Sequence, residues 1–345
     1  MMTAASRNYR LDTVKTIMIM GIVVEHSILI YGYPRSHELF WCLFISWLMP
    51  LFTMISGYLF KRRSVKELLN KYLYPMLIFS AVNFLVGYLF YDQYQDGLHV
   101  IGYAMWYLWA LFWFAIFTPP ILRAINVNVA FVLLLAIALI FMVIPLPSSI
   151  TMLCYKLQIN RIIGFYPFFL LGIILKKTGN LPYVERNSKL ILVVAVTIYL
   201  LLCYANEGLA YQGSFYLQPQ SGFRKIVLQM MSYLIIMPLC VTLVCSMPRK
   251  EVWFSRFGSR TLNVYLLHML VVFPVCYGIF SHLGYSVELI VLNCMLAFSI
   301  CLLFFSATVD RKMKYLLKTN CWAFVLSLYV VSLVVVNSHY LFKLF

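Results

Sequence analysis

The feature that most constrains this chain is a succession of some eleven apolar stretches. They fall near 14–34, 39–60, 72–91, 101–122, 127–146, 161–175, 189–205, 225–247, 260–281, 287–308 and 321–342. Crossing the hydrocarbon core of a bilayer takes a helix of about 20 mostly apolar residues. Of the 345 residues, 63% are hydrophobic and 11% charged, whereas soluble domains carry roughly 25% charged residues. So few charges cannot cover a chain of this length in water. In lipid every backbone polar group must bond internally, which favours helices. The expectation is an all-α, polytopic membrane bundle of about 10–11 transmembrane helices. It forms a single integral-membrane unit over 1–345 with no soluble domain. Residues 148–160 read as an interfacial helix ahead of the short sixth stretch. The N-terminus lacks the short apolar core and cleavage site of a secretory signal, so the first helix is expected to be retained.

The formal net charge of +16 would suggest nucleic acid in a soluble protein. Here the cations sit in short clusters between apolar runs, as membrane topology requires, and no nucleic-acid partner is expected. With the N-terminus in the cytoplasm, the inner loops collect Arg7, Arg10 and Lys15, the run Lys61, Arg62, Arg63, Lys66 and Lys71, then Arg123, and three later clusters. Together these hold 21 of the 27 basic residues. The outer loops, 31–39, 91–100 and 205–223, are short. Nine cysteines, at 42, 154, 203, 240, 245, 276, 294, 301 and 321, lie in or beside apolar runs. None forms CxxC or a metal-spaced cluster, so no metal is expected. Walker, GxGxxG, HExxH and GxSxG signatures are absent in context.

Ionisable residues inside apolar spans are costly and therefore candidates for function. The first helix, RLDTVKTIMIMGIVVEHSILIYGY, holds Glu25 and His26 well inside the span. Lys15 precedes His26 by eleven residues. At 100° per residue the two share one face, about 16 Å apart along the axis. A neutral histidine suits the removal of a hydroxyl proton; the alternative is a core histidine bonded to a neighbouring carbonyl. Adjacent helical residues diverge by about 100°, so Glu25 is expected to meet a cation on another helix rather than His26. Arg161, at the outer start of the sixth stretch, either binds a carboxylate or phosphate or snorkels to headgroups. His268 is either a second polar group of the site or a satisfied core histidine. The loop KRRSVKELLNKYLYP either orients the chain or attracts an acidic ligand through its Lys and Arg side chains.

Taken in order, these segments resemble acyltransferase family three, the integral-membrane O-acyltransferases, and in particular its fucose 4-O-acetylase-like branch. RLDTVKTIMIMGIVVEHS resembles the family opening: Leu-Asp, a basic residue, then His eleven residues later. MPLFTMISGYLFKRR, MWYLWALFWF, RIIGFYPFFLLGIILKK and FGSRTLNVYLLH resemble four later blocks. The sequence departs from the family at Glu25, where Gly is common, and at Leu48-Met49-Pro50 in place of His-Met-Pro. It departs again at 70–75, which lacks the usual Arg-x-x-Arg pair; Lys71 and the Lys61–Arg63 cluster are the expected substitutes.

The resemblance implies transfer of an acyl group, usually acetyl, from cytoplasmic acetyl-CoA. The acceptor would be a sugar hydroxyl of a cell-surface polysaccharide or its lipid-linked precursor, at the bacterial inner membrane among its lipids. Acetyl-CoA would be a donor substrate, not a resident cofactor. By position, His26 is the family's essential histidine, Lys15 its basic partner and Asp12 its Leu-Asp acid; Glu25, where the sequence departs from the family, is expected in the catalytic group from the residues alone. Lys15, Arg10, Lys61, Arg62, Arg63 and Lys71 would hold the donor. Arg161, His268 and Trp106 would face the acceptor. Two rival classes remain at this stage: a transporter or flippase of a lipid-linked sugar, and a structural subunit of a polysaccharide synthase.

Overall fold

The computed structural model describes residues 7–28, 38–91, 101, 105–143, 146–179, 181–205, 223–272, 274–276 and 286–342. Among the described residues there are helices and no strands. The helices are α1 (Tyr9–Ile28), α2 (Glu38–Tyr58), α3 (Val65–Leu68), α4 (Tyr74–Tyr91), α5 (Trp106–Ala124), α6 (Val127–Val143) and α7 (Ser148–Lys156). They continue with α8 (Ile159–Thr178), α9 (Leu181–Ala205), α10 (Phe223–Ser246), α11 (Thr261–Val272), α12 (Val287–Phe304), α13 (Ala307–Lys318) and α14 (Trp322–Phe342). Each of the eleven expected apolar stretches overlaps one of them. By length and hydropathy alone α5 and α8 suffice to cross a membrane, and α12 with α13, bent by 63°, makes a third candidate.

The helices pack around one continuous apolar core. The α2–α8 pair is among its closest contacts, and glycine makes it possible. A Cβ on Gly57 would collide with the carbonyl of Phe169, and one on Gly172 with the backbone of Met54. Small residues that let backbones approach are the usual adhesive between helices in lipid, where apolar burial alone gives no preference for protein over tails. Some polar side chains bridge helices. Tyr233 donates to the Gly164 carbonyl at 2.8 Å, and Trp322 Nε1 donates to Asn70 Oδ1 at 3.0 Å.

The basic clusters gather on one face. Arg10 of α1 reaches Glu185 of α9 at 2.6 Å and the Met247 carbonyl at 3.0 Å. Lys176 donates to Phe60, Arg260 donates to Phe305, and the backbone N–H of Cys321 donates to the Tyr74 hydroxyl. These contacts bring the N-terminal ends of α1, α4, α9, α11 and α14 together with the C-terminal ends of α2, α8, α10 and α12. For these nine helices the ends that share a face are those the charge pattern puts on one side.

Two local structures fill loops of that face. After the basic run 61–63, Ser64 caps α3 in a capping box: its hydroxyl accepts from the Glu67 N–H, while the Glu67 carboxylate accepts from the Ser64 N–H. Those bonds hold the exposed Glu67 carboxyl below its ordinary value. A wide π turn, Leu69–Leu73, then joins α3 to α4. Residues 307–318, expected as a loop, form the amphipathic α13. Ser306 caps it, and Asp310 ties it down by accepting from Asn263 at 3.1 Å. Most of the outer loops at 31–39, 91–100 and 205–223 lies outside the described residues.

Candidate active site

Near its start α1 carries Asp12, whose carboxylate lies 2.8 Å from both Arg7 Nε and Lys15 Nζ. Gly258, in the segment before α11, packs so tightly on Asp12 that no side chain fits there. Asp12 therefore fixes Lys15 and the entry of α1. Fourteen residues, about 21 Å of helix, separate it from His26, so the structure does not bring the two together.

Lys15, Ile19 and Ile22 line one side of a cavity of about 430 Å³. This is the stripe on which His26 lies one turn further. Lys61, Arg63 and Lys71 stand in the lining with Lys15, and Phe52, Leu108 and Leu111 supply apolar wall. The capping box and the π turn are what deliver these cations: the first fixes the chain after Arg63, and the second carries Lys71 and Tyr72 toward the cavity. A wide turn at a binding surface is a recurrent use of π geometry. Of the cations expected to stand in for the missing Arg-x-x-Arg pair, Lys61, Arg63 and Lys71 line the cavity. Arg62 is exposed and outside the lining, and Arg10 is engaged with Glu185 instead.

Beyond the cavity, the rings of His26 and His268 stack with centroids 5.3 Å apart and planes 27° from parallel. His268, on α11, is fully buried. Its Nδ1 lies 3.0 Å from the Val264 carbonyl and 2.9 Å from that of Tyr265. Carbonyls only accept, so Nδ1 carries the proton, and in the neutral ring Nε2 keeps its lone pair. No described residue hydrogen-bonds that Nε2. Arg161, at the start of α8, is the cation whose field reaches both Glu25 and His26. Glu25 makes no ion pair with it among the described residues, so the direct pairing expected for Glu25 is not seen. The Arg161 guanidinium lies over the Trp106 ring, 4.7 Å from its centroid. That arrangement fixes the plane of the fork. The neighbouring turn is pinned by Trp109 Nε1 donating to the Leu157 carbonyl at 3.0 Å.

The structure therefore gathers the candidates in two groups: Lys15, Lys61, Arg63 and Lys71 on the cavity, and Glu25, His26, Arg161, His268 and Trp106 in the polar centre. Tyr107, Tyr265 and Ser56, which also line the cavity, were not legible as site residues. An aromatic or a serine in an apolar stretch looks like any core residue.

A cavity with four cations in its lining opens at one face of the helical bundle, and a stacked histidine pair lies one turn of α1 beyond its inner end. The chain belongs to acyltransferase family 3: the model of the family's acyltransferase domain matches residues 8–309, a span that includes both groups of site residues. No curated protein and no solved structure gave a significant match. The protein is thus a membrane acyltransferase.

Proposed function

We propose that the protein is an O-acetyltransferase of the bacterial inner membrane, fucose 4-O-acetylase-like within its family. It moves acetyl from cytoplasmic acetyl-CoA to a hydroxyl of a cell-surface polysaccharide sugar or of its lipid-linked precursor. The observation that supports this best is the cavity along the Lys15–Ile22 stripe, with four cations in its lining and its inner end at Tyr265, a neighbour of His268. In this reading the basic face is cytoplasmic. The phosphates of the donor sit against Lys15, Lys61, Arg63 and Lys71, and the thioester points inward.

His26 takes the proton of the acceptor hydroxyl as its oxygen attacks the thioester carbonyl. The new C–O bond forms, the C–S bond breaks, and the departing thiolate takes the proton from the imidazolium to leave as free coenzyme A. His268, anchored by its Nδ1–H, holds the His26 ring by stacking. Arg161, fixed on Trp106, offers a flat fork to the hydroxyls or carboxylate of the acceptor, which enters from the opposite face.

Thiol release from acetyl-CoA by purified protein in nanodiscs, compared with His26→Ala, tests the proposal. Release by the wild type that is lost in a folded His26→Ala supports it. Absence of both donor binding and release in well-folded protein would overturn it and favour a flippase, which has no use for acetyl-CoA. Initial rates that fit a ternary complex support direct transfer, whereas ping-pong kinetics would make His26 an acetyl carrier.

A further inference from the structure

Two tyrosines close the inner end of the donor cavity. Tyr265, on α11, lines the cavity and also lies with its ring 6.3 Å from that of His268. It is the residue that belongs to both groups. The ring of Tyr107, on α5, meets it edge-on at 6.0 Å. Tyr107 is held from two further sides. Its hydroxyl is 2.8 Å from Ser56 Oγ, and the Phe52 ring lies 6.0 Å away, also edge-on. Both tyrosines are less than one-tenth exposed. Turning Tyr107 aside would break its hydrogen bond and open a void among packed rings, and dense interiors resist both.

The cavity lining along α1 ends at Ile22, four residues or about 6 Å short of His26. In an acyl thioester the acyl chain continues past the carbonyl, away from the phosphates. With the phosphates at the lysines, everything beyond the carbonyl must fit between Ile22 and the two tyrosines. We infer that Tyr107 and Tyr265 form a wall that sets acyl-chain length, admitting acetyl and excluding long acyl groups such as hexanoyl. This rests on the proposed use of an acyl-CoA donor, with its phosphates at the basic face.

The test follows thiol release from acetyl-, butyryl- and hexanoyl-CoA by the wild type, Tyr265→Ala and Tyr107→Ala, with thermal unfolding of each. Wild type should consume acetyl-CoA more than about tenfold faster than hexanoyl-CoA, since a rigid pocket discriminates on this scale for each added methylene. Either alanine variant should shrink that ratio by about tenfold or more. Equal rates with the acetyl and hexanoyl donors in wild type would overturn the wall, whatever the variants do. So would an unchanged ratio in either alanine variant that folds and retains activity. If neither variant folds, the wild-type series decides alone. Release from no acyl-CoA at all would instead overturn the proposed function, and the wall with it.

Discussion

The two ends of α1 carry charge in opposite ways. At the basic face two acids are each clasped by two cations: Asp12 by Arg7 and Lys15, and Glu185 by Arg10 and Arg249. Towards the other end Glu25 and His26 lie inside the bundle, with Arg161 acting on both and His268 stacked on the second. Pairs at a wet face contribute little individually and serve to fix loops. Ionisable groups in a membrane interior are expensive and mark chemistry or transport. The same helix thus uses charge for position at one end and, in the proposed mechanism, for reaction at the other.

That contrast predicts its own largest effect. His26→Ala should lower thiol release by roughly 10²–10⁴-fold, the range of a lost general base. Asp12→Asn, which leaves Lys15 in place with one weaker partner, should cost less than about tenfold by the same measure and should act on the KM for acetyl-CoA. Equal damage to kcat from both would erase the distinction between the ends.

Next in size is Arg161→Lys. The charge stays, but the flat fork stacked on Trp106 is lost, an interaction of about 0.5–2 kcal/mol. The expected result is an acceptor KM raised up to roughly thirtyfold, with donor KM unchanged. A change in donor KM alone would move Arg161 to the other group. Smaller still are Lys71→Ala and Arg63→Ala. Each removes one cation from the cavity lining and should raise donor KM several-fold, at about 1 kcal/mol for a part-exposed charge, with kcat held. Arg62→Ala, exposed and outside the lining, should do nothing measurable in the same titration.

The helices themselves were legible because an apolar run of the right length admits few alternatives in lipid. The 100° step between neighbours separates Glu25 from His26, and Arg161 on α8 acts on Glu25 through its field, without a direct ion pair. The capping box at Ser64–Glu67 was spelled out in the sequence yet was passed over as loop. Helix α13 was missed because its charges, Arg311, Lys312, Lys314 and Lys318, looked like a topology signal. The buried Met313, the flanking Val309 and Leu317, and the Asp310–Asn263 bond give it a packed side. Leu48, standing where the family has histidine, packs against Gly21, so that position supplies an apolar contact and no polar group. The cavity was illegible for a different reason: Tyr107, Tyr265 and Ser56 come from three helices, and no spacing within one of them reports their meeting.

The smallest predicted effect probes the structural end alone. Glu185 joins α9 to Arg10 of α1 and to Arg249 beyond α10. Its hydrogen bond from Arg10, with that from Arg249, holds the carboxyl below its ordinary value of 4.5. A carboxyl depressed in the folded state binds protons less readily there than in the unfolded chain. Its contribution to stability is therefore complete above 4.5 and fades as pH falls through the lower, folded value. Glu185→Gln should unfold at a slightly lower temperature than wild type at neutral pH, and the gap should close on acidification through that window. Thiol release per folded molecule at neutral pH should match wild type. A gap that stays constant with pH would mean that the amide disturbs packing rather than charge. A fall in turnover without a fall in stability would mean that this end of α1 reaches the chemistry after all.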